Sequence, residues 1–244
     1  ETVFTVLHAG GKFEKSAYKI SGGLHGVGAS VVNALARRLE VRVHRDGKIF
    51  YQRYETGVPQ GEVEVIGETD ITGTTVTWMP DDRIFETVEF GEALELTRLK
   101  NASYLTPGVT FTLVNEKTGT QQRYCFDGGI RTRLGKLVSG QTTIGTPEFF
   151  AAEGDAGMIE IAFQLVDSSN DTVLSFVNNV PTPDGGTHVN GFKAGFLAVV
   201  NKLAEEKNLV NKKIGAFTPS DVSDGLYAIV SAKISDPQFQ GQTK

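Results

Sequence analysis

Between Gly22 and Gly28 the sequence Gly-Gly-Leu-His-Gly-Val-Gly places four glycines in seven residues and opens directly into Ala29-Ser30-Val31-Val32-Asn33-Ala34-Leu35. Val27, Val31, Val32, Leu35 and Leu39 recur at helical spacing, which predicts a helix from about Gly28 to Leu39. Glycines leave backbone N–H groups uncovered by side chains, here where a helix presents unpaired donors and the positive end of its dipole. Such a turn holds anions, and phosphate is the usual occupant. A tight loop with no ligand would carry the same glycines, so the flanking residues must decide.

Phosphate chemistry needs cations, and the flanks offer them. Lys12 and Lys19 bracket a stretch from His8 to Ser21 rich in glycine, serine and charge, read as a surface loop of the kind that closes over a site. Lys244, in the tail Gln242-Thr243-Lys244, offers a third point charge. Each of these lysines also reads as a solvated surface residue. Tyr18 could touch a base or ribose, or only anchor the loop. Other chemistries lack their residues. There is no Gly-x-x-x-x-Gly-Lys-Ser/Thr, and Gly23-x-x-Gly26-x-Gly28 reverses the dinucleotide-binding order and follows a loop. His8, His25, His44 and His188 are scattered without partners at metal spacing, and no Gly-x-Ser-x-Gly elbow occurs, so no metal site or serine nucleophile is read.

A chain of 244 residues can bury a core in one large domain or two modest ones. Hydrophobic content of 39% is that of a globular protein, and no apolar run reaches membrane-spanning length, so no membrane partner is expected. A net charge of −5 excludes a general electrostatic trap for nucleic acid but leaves room for a local basic stripe. The single cysteine, Cys125, excludes an internal disulfide and fits a reducing, cytoplasmic compartment; within Tyr124-Cys125-Phe126 it is expected to be buried. Glu1 to Leu7 begins in the middle of an apolar pattern, as if cut from something longer.

The elements that must position these residues read as a mixed α+β chain. Leu39–Arg45 and Lys48–Tyr54 alternate around Asp46-Gly47, a hairpin. Gly61–Ile66 and Thr72–Pro80 read as strands, the second ended by a turn at Asp81-Asp82. Phe90–Leu105 reads as a helix stopped by Pro107-Gly108, and a second hairpin flanks Lys117-Thr118-Gly119. Asp127-Gly128-Gly129 marks a domain boundary, giving 1–128 and 129–244. Beyond it come a short helix (Ile130–Leu137), a polar connector (Ser139–Pro147), and Met158–Val166 paired with Thr172–Val180 as a hairpin. A long helix (Val189–Asn208), a capped helix start at Thr218-Pro219-Ser220-Asp221 and a last strand (Leu226–Ile234) complete the second half.

Taken in order, Thr5–Phe13, Tyr18–Leu35, Arg45-Asp46-Gly47, Thr72-Gly73-Thr74, Ser175–Asn179, Gly185-Gly186-Thr187-His188 and Asp236–Lys244 resemble the ATPase subunits of bacterial type IIA topoisomerases, over essentially the whole chain. The resemblance implies a partial Bergerat-type (GHKL) ATPase α/β sandwich followed by a transducer domain similar to a ribosomal-protein fold. It implies ATP with Mg2+, and as partners DNA, a gyrase A-type cleavage subunit and an ATP-dependent second copy. Carried over, Gly23, Leu24, His25, Gly26, Val27 and Gly28 hold phosphates, with Lys12, Tyr18 and Lys19 on the lid. Thr74 lies near the adenine and Arg45 at the mouth where coumarin-type inhibitors bind, while Gln242 and Lys244 reach the terminal phosphate. The family's general-base glutamate, magnesium-holding asparagine and adenine-reading aspartate are expected upstream of Glu1, which would leave this chain inactive alone. Tyr18-Lys19 and Asp236-Pro237-Gln238-Phe239 favour the supercoiling gyrase branch. The decatenating topoisomerase IV branch and a non-catalytic dimerisation or DNA-contacting module are the alternatives.

Overall fold

A computed structural model describes residues 1–9, 20, 22, 23, 25–210 and 215–240. By packing, the chain parts into two units, Glu1–Phe90 and Gly91–Lys244. The segment from Gly91 to Gly128 thus groups with the second half, upstream of the expected division at 128/129.

In the first unit, helices α1 (Thr2–Thr5) and α2 (Gly28–Ala34) accompany strands β1 (Ala36–Arg45), β2 (Lys48–Glu55), β3 (Val58–Pro59), β4 (Glu64–Glu68) and β5 (Gly73–Pro80). All pairings are antiparallel: β1 lies between β2 and β5, and β2 also pairs with β3 and β4. Asp46 and Gly47, at φ 53° and 76°, make the expected tight turn between β1 and β2. Leu39, Val41 and Tyr54 form a core with Ala36, against which Phe4 and Val43 pack. On the opposite face Glu40 is buried between Arg38 and Arg42. Burial alone would raise its pKa, but the two guanidiniums more than offset this and leave it below the ordinary value.

One expectation fails here. The helix ends at Ala34 and the chain is already strand from Ala36, so Leu39 belongs to β1, not to a helical stripe. Val31 and Val32 are 41% and 37% exposed, and the residues that α2 buries are Ser30 and Asn33. Leu39 fits either period, and the strand runs back from Leu39 to Ala36 through an irregularity between Ala36 and Arg38 where it pairs with β5, which puts Ala36 in the same core as Leu39.

The second unit holds α3 (Glu92–Leu105), the hairpin β6 (Phe111–Asn115)–β7 (Thr120–Tyr124), α4 (Gly129–Leu137), β8 (Thr143–Gly154), β9 (Gly157–Val166), β10 (Thr172–Val177), β11 (Val180–Pro181), α5 (Thr187–Glu206), α6 (Pro219–Ser223) and β12 (Leu226–Ile234). Its mixed five-stranded sheet runs β11-β10-β12-β9-β8, with β10 parallel to β12. β12 is central and buried on both faces. Ile229 packs with Ile130 and Leu134 of α4, while Ala228 and Val230 pack with Phe192 of α5. Thr218 and Asp221 form the expected capping box of α6, with Pro219 at its first position.

Three expectations are corrected in this unit. Residues from Thr143 are strand rather than connector, and Gln164 Nε2 donates to Ile144 O at 2.7 Å where β8 bulges. β9 hairpins with β8, not with β10, because the nearly all-apolar β12 takes the place between β9 and β10. Cys125 is exposed, its Sγ 3.7 Å from Asp127 Oδ1. Its neighbours Tyr124 and Phe126 turn inward, Phe126 stacking on Tyr104 at 4.1 Å, and alternation leaves Cys125 outside. α3 also begins later than expected, at Glu92, and Phe90 is 63% exposed.

Candidate functional site

Asn33 seats α2 on the first unit. Fully buried, its Nδ2 donates to Phe4 O at 3.0 Å and to Gly57 O at 3.3 Å, joining α1, α2 and the turn after β2. Gly57 has φ 83°, and a Cβ there would lie 3.3 Å from Ala34 Cα, so the turn approaches the helix as only glycine allows.

The glycine turn enters α2 through Gly26, at φ 59°, the left-handed region that costs another residue about 1–2 kcal/mol. Val27 is the N-cap; its carbonyl accepts from Val31 N–H at 2.9 Å and Ser30 Oγ at 3.0 Å. Val27 supplies no side-chain cap, and no acidic residue occupies the first turn of the helix. The N–H groups of Gly28, Ala29 and Ser30 have no acceptor within the helix. Gly28 is exposed, and a Cβ built on it meets nothing within 4 Å. This chain's own packing therefore does not demand glycine at 28. What the missing side chain provides is open space in front of the helix start. Gly23 and His25 are likewise exposed.

One contact here was not legible from the residues. His8 Nδ1 lies 2.8 Å from His25 O, so the ring donates there and fixes the protonated nitrogen. His8, itself at φ 59°, thus ties the segment after α1 to the glycine turn. Nothing in a spacing of seventeen residues signals that pairing.

Thr74 and Arg45 lie elsewhere on the unit but on one face. Thr74 pairs with Val43 across β1–β5, and Arg45 lies two residues beyond Val43. Side chains of directly opposed strand residues share a face, so both project from the side that carries Leu39 and Val41. That is the side on which Phe4 packs. Thr74 is exposed, and Arg45 is 73% exposed with Nε 3.3 Å from Asp46 Oδ2. The expected site residues Lys12, Tyr18, Lys19, Leu24, Gln242 and Lys244 lie outside the described residues.

The turn expected at Asp81-Asp82 is present, but Asp81 is 1% exposed. Arg83 donates to it from its backbone N–H at 2.9 Å and from its guanidinium at 2.6–3.2 Å. These bonds pull its pKa down to about 2. In the second unit, Ser175 Oγ, Thr182 Oγ1 and His188 Nε2 form a chain of contacts at 2.7 and 3.2 Å, and burial lowers the His188 pKa. Among the described residues, no three His, Cys, Asp or Glu side chains cluster as a metal site, and no helix is long and apolar enough to cross a membrane.

Residues 129–244 match the family model described as DNA gyrase B. The chain is 46% identical to the DNA gyrase B protein of Thermotoga maritima, over all of this chain and 40% of the relative. It is 42% identical to the DNA gyrase B protein of Streptococcus pyogenes serotype M1, over all of this chain and 38% of that protein. It thus spans about two fifths of these relatives' length. Among solved structures it resembles the 43K ATPase domain of Thermus thermophilus gyrase B in complex with an aminocoumarin. That match has TM-score 0.80 and 30% identity, covering 98% of this chain and 62% of that one. It also resembles the topoisomerase IV ATP-binding domain of Francisella tularensis in complex with a small-molecule inhibitor. Here the TM-score is 0.74 and identity 31%, over 91% of this chain and 61% of that one. The α+β architecture expected from the sequence is the architecture of these ATPase regions.

Proposed function

We propose, on the premise that this chain belongs to the DNA gyrase B family of type IIA topoisomerase ATPase subunits, that it binds ATP at the glycine turn before α2 and passes the nucleotide's state to a transducer half. The observation that carries this reading is Gly28: exposed, unobstructed, and at the start of a helix that is seated by Asn33 and takes no side-chain cap from Val27. Gly23, Leu24, His25, Gly26, Val27 and Gly28 would cradle the phosphates, with Lys12, Tyr18 and Lys19 over them. Thr74 would lie toward the adenine and Arg45 toward the inhibitor mouth. The transducer would be 129–244, where the family-model match begins. Gln242 and Lys244 would meet the terminal phosphate. A lysine drawn to the third phosphate but not to the diphosphate product makes the second half respond to hydrolysis.

In the full-length protein, ATP hydrolysis would drive DNA strand passage and supercoiling. A gyrase A-type subunit would cleave DNA, nucleotide would join two copies, and the assembly would work in the cytoplasm. ATP carries magnesium, but the described residues hold no ligand cluster for it, and no step is assigned to the metal. The buried carboxylates of the first unit are already committed, Asp81 to Arg83 and Glu40 to Arg38 and Arg42. No general base is proposed among them, so the 244-residue chain alone would turn over ATP negligibly. The test is ATP hydrolysis by the full-length protein and by this chain, each with and without Lys244→Ala. The expected result is turnover by the full-length protein, lost in the variant, and none by the chain. Turnover by the chain alone, insensitive to the substitution, would overturn the proposal.

The topoisomerase IV branch is the second reading, favoured by the 31% identity to its ATP-binding domain. Negative supercoiling of relaxed circles by the assembled enzyme selects gyrase, and decatenation without supercoiling selects the other branch.

A further inference from the structure

We propose that α4 is a duplex-DNA contact surface of the second unit, with Arg131, Arg133 and Lys136 as its phosphate contacts. From Gly128 to Pro147 the sequence holds these three cations and no carboxylate, within a chain of net charge −5. Each cation lies over an aromatic ring. The Arg131 guanidinium is 3.9 Å from the Phe149 ring centre, that of Arg133 is 5.2 Å from Tyr104, and Lys136 Nζ is 6.0 Å from Phe126. Among the described residues none of the three forms an ion pair, whereas Arg38, Arg42, Arg53, Arg83 and Arg98 each have a carboxylate.

The helix presents them outward. Ile130 and Leu134 face the core. At about 100° per residue, Arg131 then falls on one flank and Arg133 and Lys136 on the other, with Thr132 and Gly135 between them. Gly135 is exposed and has nothing within 4 Å of a Cβ position, so a backbone could approach closely between the flanks. A ring behind a guanidinium holds its plane, so little side-chain freedom is lost when a phosphate arrives. The nearby carboxylates of α3 are used locally. Glu92 accepts from Asn115 Nδ2 at 2.5 Å and Thr120 Oγ1 at 3.1 Å, and Glu95 pairs with Arg98 at 3.2 Å. Asp127 and Glu148 flank the carboxylate-free stretch at its two ends.

The choice of duplex DNA over another polyanion rests on the topoisomerase reading; the surface itself needs no nucleotide. The test is fluorescence anisotropy of a labelled duplex of about 20 base pairs with the 244-residue chain, between about 50 and 200 mM salt. Arg131→Gln/Arg133→Gln/Lys136→Gln is expected to weaken binding about tenfold or more and to reduce the log–log salt slope by about 2–3. A control carrying Lys193→Gln, Lys202→Gln and Lys207→Gln changes net charge equally and is expected to bind like the parent. Lys136→Glu, at an exposed position, repeats the loss should the triple change disturb folding, and Arg131→Lys/Arg133→Lys is expected to retain the slope. No duplex binding by the parent, equal loss in the control, or a Lys136→Glu variant that binds like the parent would each overturn the proposal. ATP binding by the full-length protein, measured on the same variants, is expected to be unchanged, which separates failure here from failure of the nucleotide reading.

Discussion

Asn178 and Ile234 exchange two hydrogen bonds: Asn178 Nδ2 donates to Ile234 O and Ile234 N–H donates to Asn178 Oδ1, both at 2.8 Å. Asn178 is 5% exposed and stands at φ 50° beside Asn179 at φ 65°, in the turn between β10 and β11. Asparagine tolerates that backbone and carries both a donor and an acceptor. The pair fastens the turn to the last residue of β12, from which the chain continues to Asp236-Pro237-Gln238-Phe239.

Asn178→Ala removes both bonds and leaves half-buried main-chain groups of Ile234 without these partners, so it is expected to destabilise the second unit by about 1–3 kcal/mol. Asn178→Gly relieves the backbone strain only and is expected to recover less than half of that loss. Urea unfolding of the parent and both variants checks the order; equal midpoints for all three would show the bonds to be idle.

Asp81 is predicted to make the first unit acid-sensitive. Its folded pKa, held at about 2 by Arg83, lies below the unfolded value of about 3.9. Stability from the pair is therefore complete above about pH 4 and is lost as pH falls through about 2. Asp81→Asn is expected to lower the urea midpoint at pH 7 and to flatten its decline between pH 4 and 2. An unchanged decline in the variant would assign the acid sensitivity to other groups.

Arg45 is 73% exposed and pairs only with the equally open Asp46 among the described residues, so Arg45→Gln is expected to leave the thermal midpoint unchanged. If it stands at the inhibitor mouth, aminocoumarin affinity falls by about tenfold, or about 1.4 kcal/mol. Calorimetric titration of the full-length protein with an aminocoumarin decides; equal affinity would move Arg45 out of the site.

Much of this arrangement is written in short-range patterns. Asp46-Gly47, the Thr218–Asp221 cap and the bounds of β12 depend on neighbours within a few residues, and each stands where the sequence places it. What escapes is set at long range. β12 enters between β9 and β10 from sixty residues downstream of β9, and no local signal in Met158–Val166 excludes pairing with β10. Thr143–Pro147 reads as a connector because β8 there is an exposed, bulged stretch rich in threonine and glycine. In the site, the glycine turn is legible because its chemistry is backbone chemistry. The seating of α2 by buried Asn33 and the His8–His25 contact are not, since polar side chains reaching main-chain groups far along the chain leave no periodicity.

The proposed phosphate cradle is tested most directly at Gly28. Its Cβ position is empty and its φ is unremarkable, so Gly28→Ala is expected to keep or slightly raise stability, by up to about 1 kcal/mol. A methyl group placed where phosphate must approach the helix start would nonetheless weaken ATP binding. The measurement is equilibrium ATP binding by the full-length protein with Gly28→Ala and the bulkier Gly28→Val, alongside thermal midpoints. The account predicts affinity falling at least about tenfold from glycine to valine, equivalent to about 1.4 kcal/mol, with folding intact. Undiminished ATP binding by a folded Gly28→Val protein would contradict it.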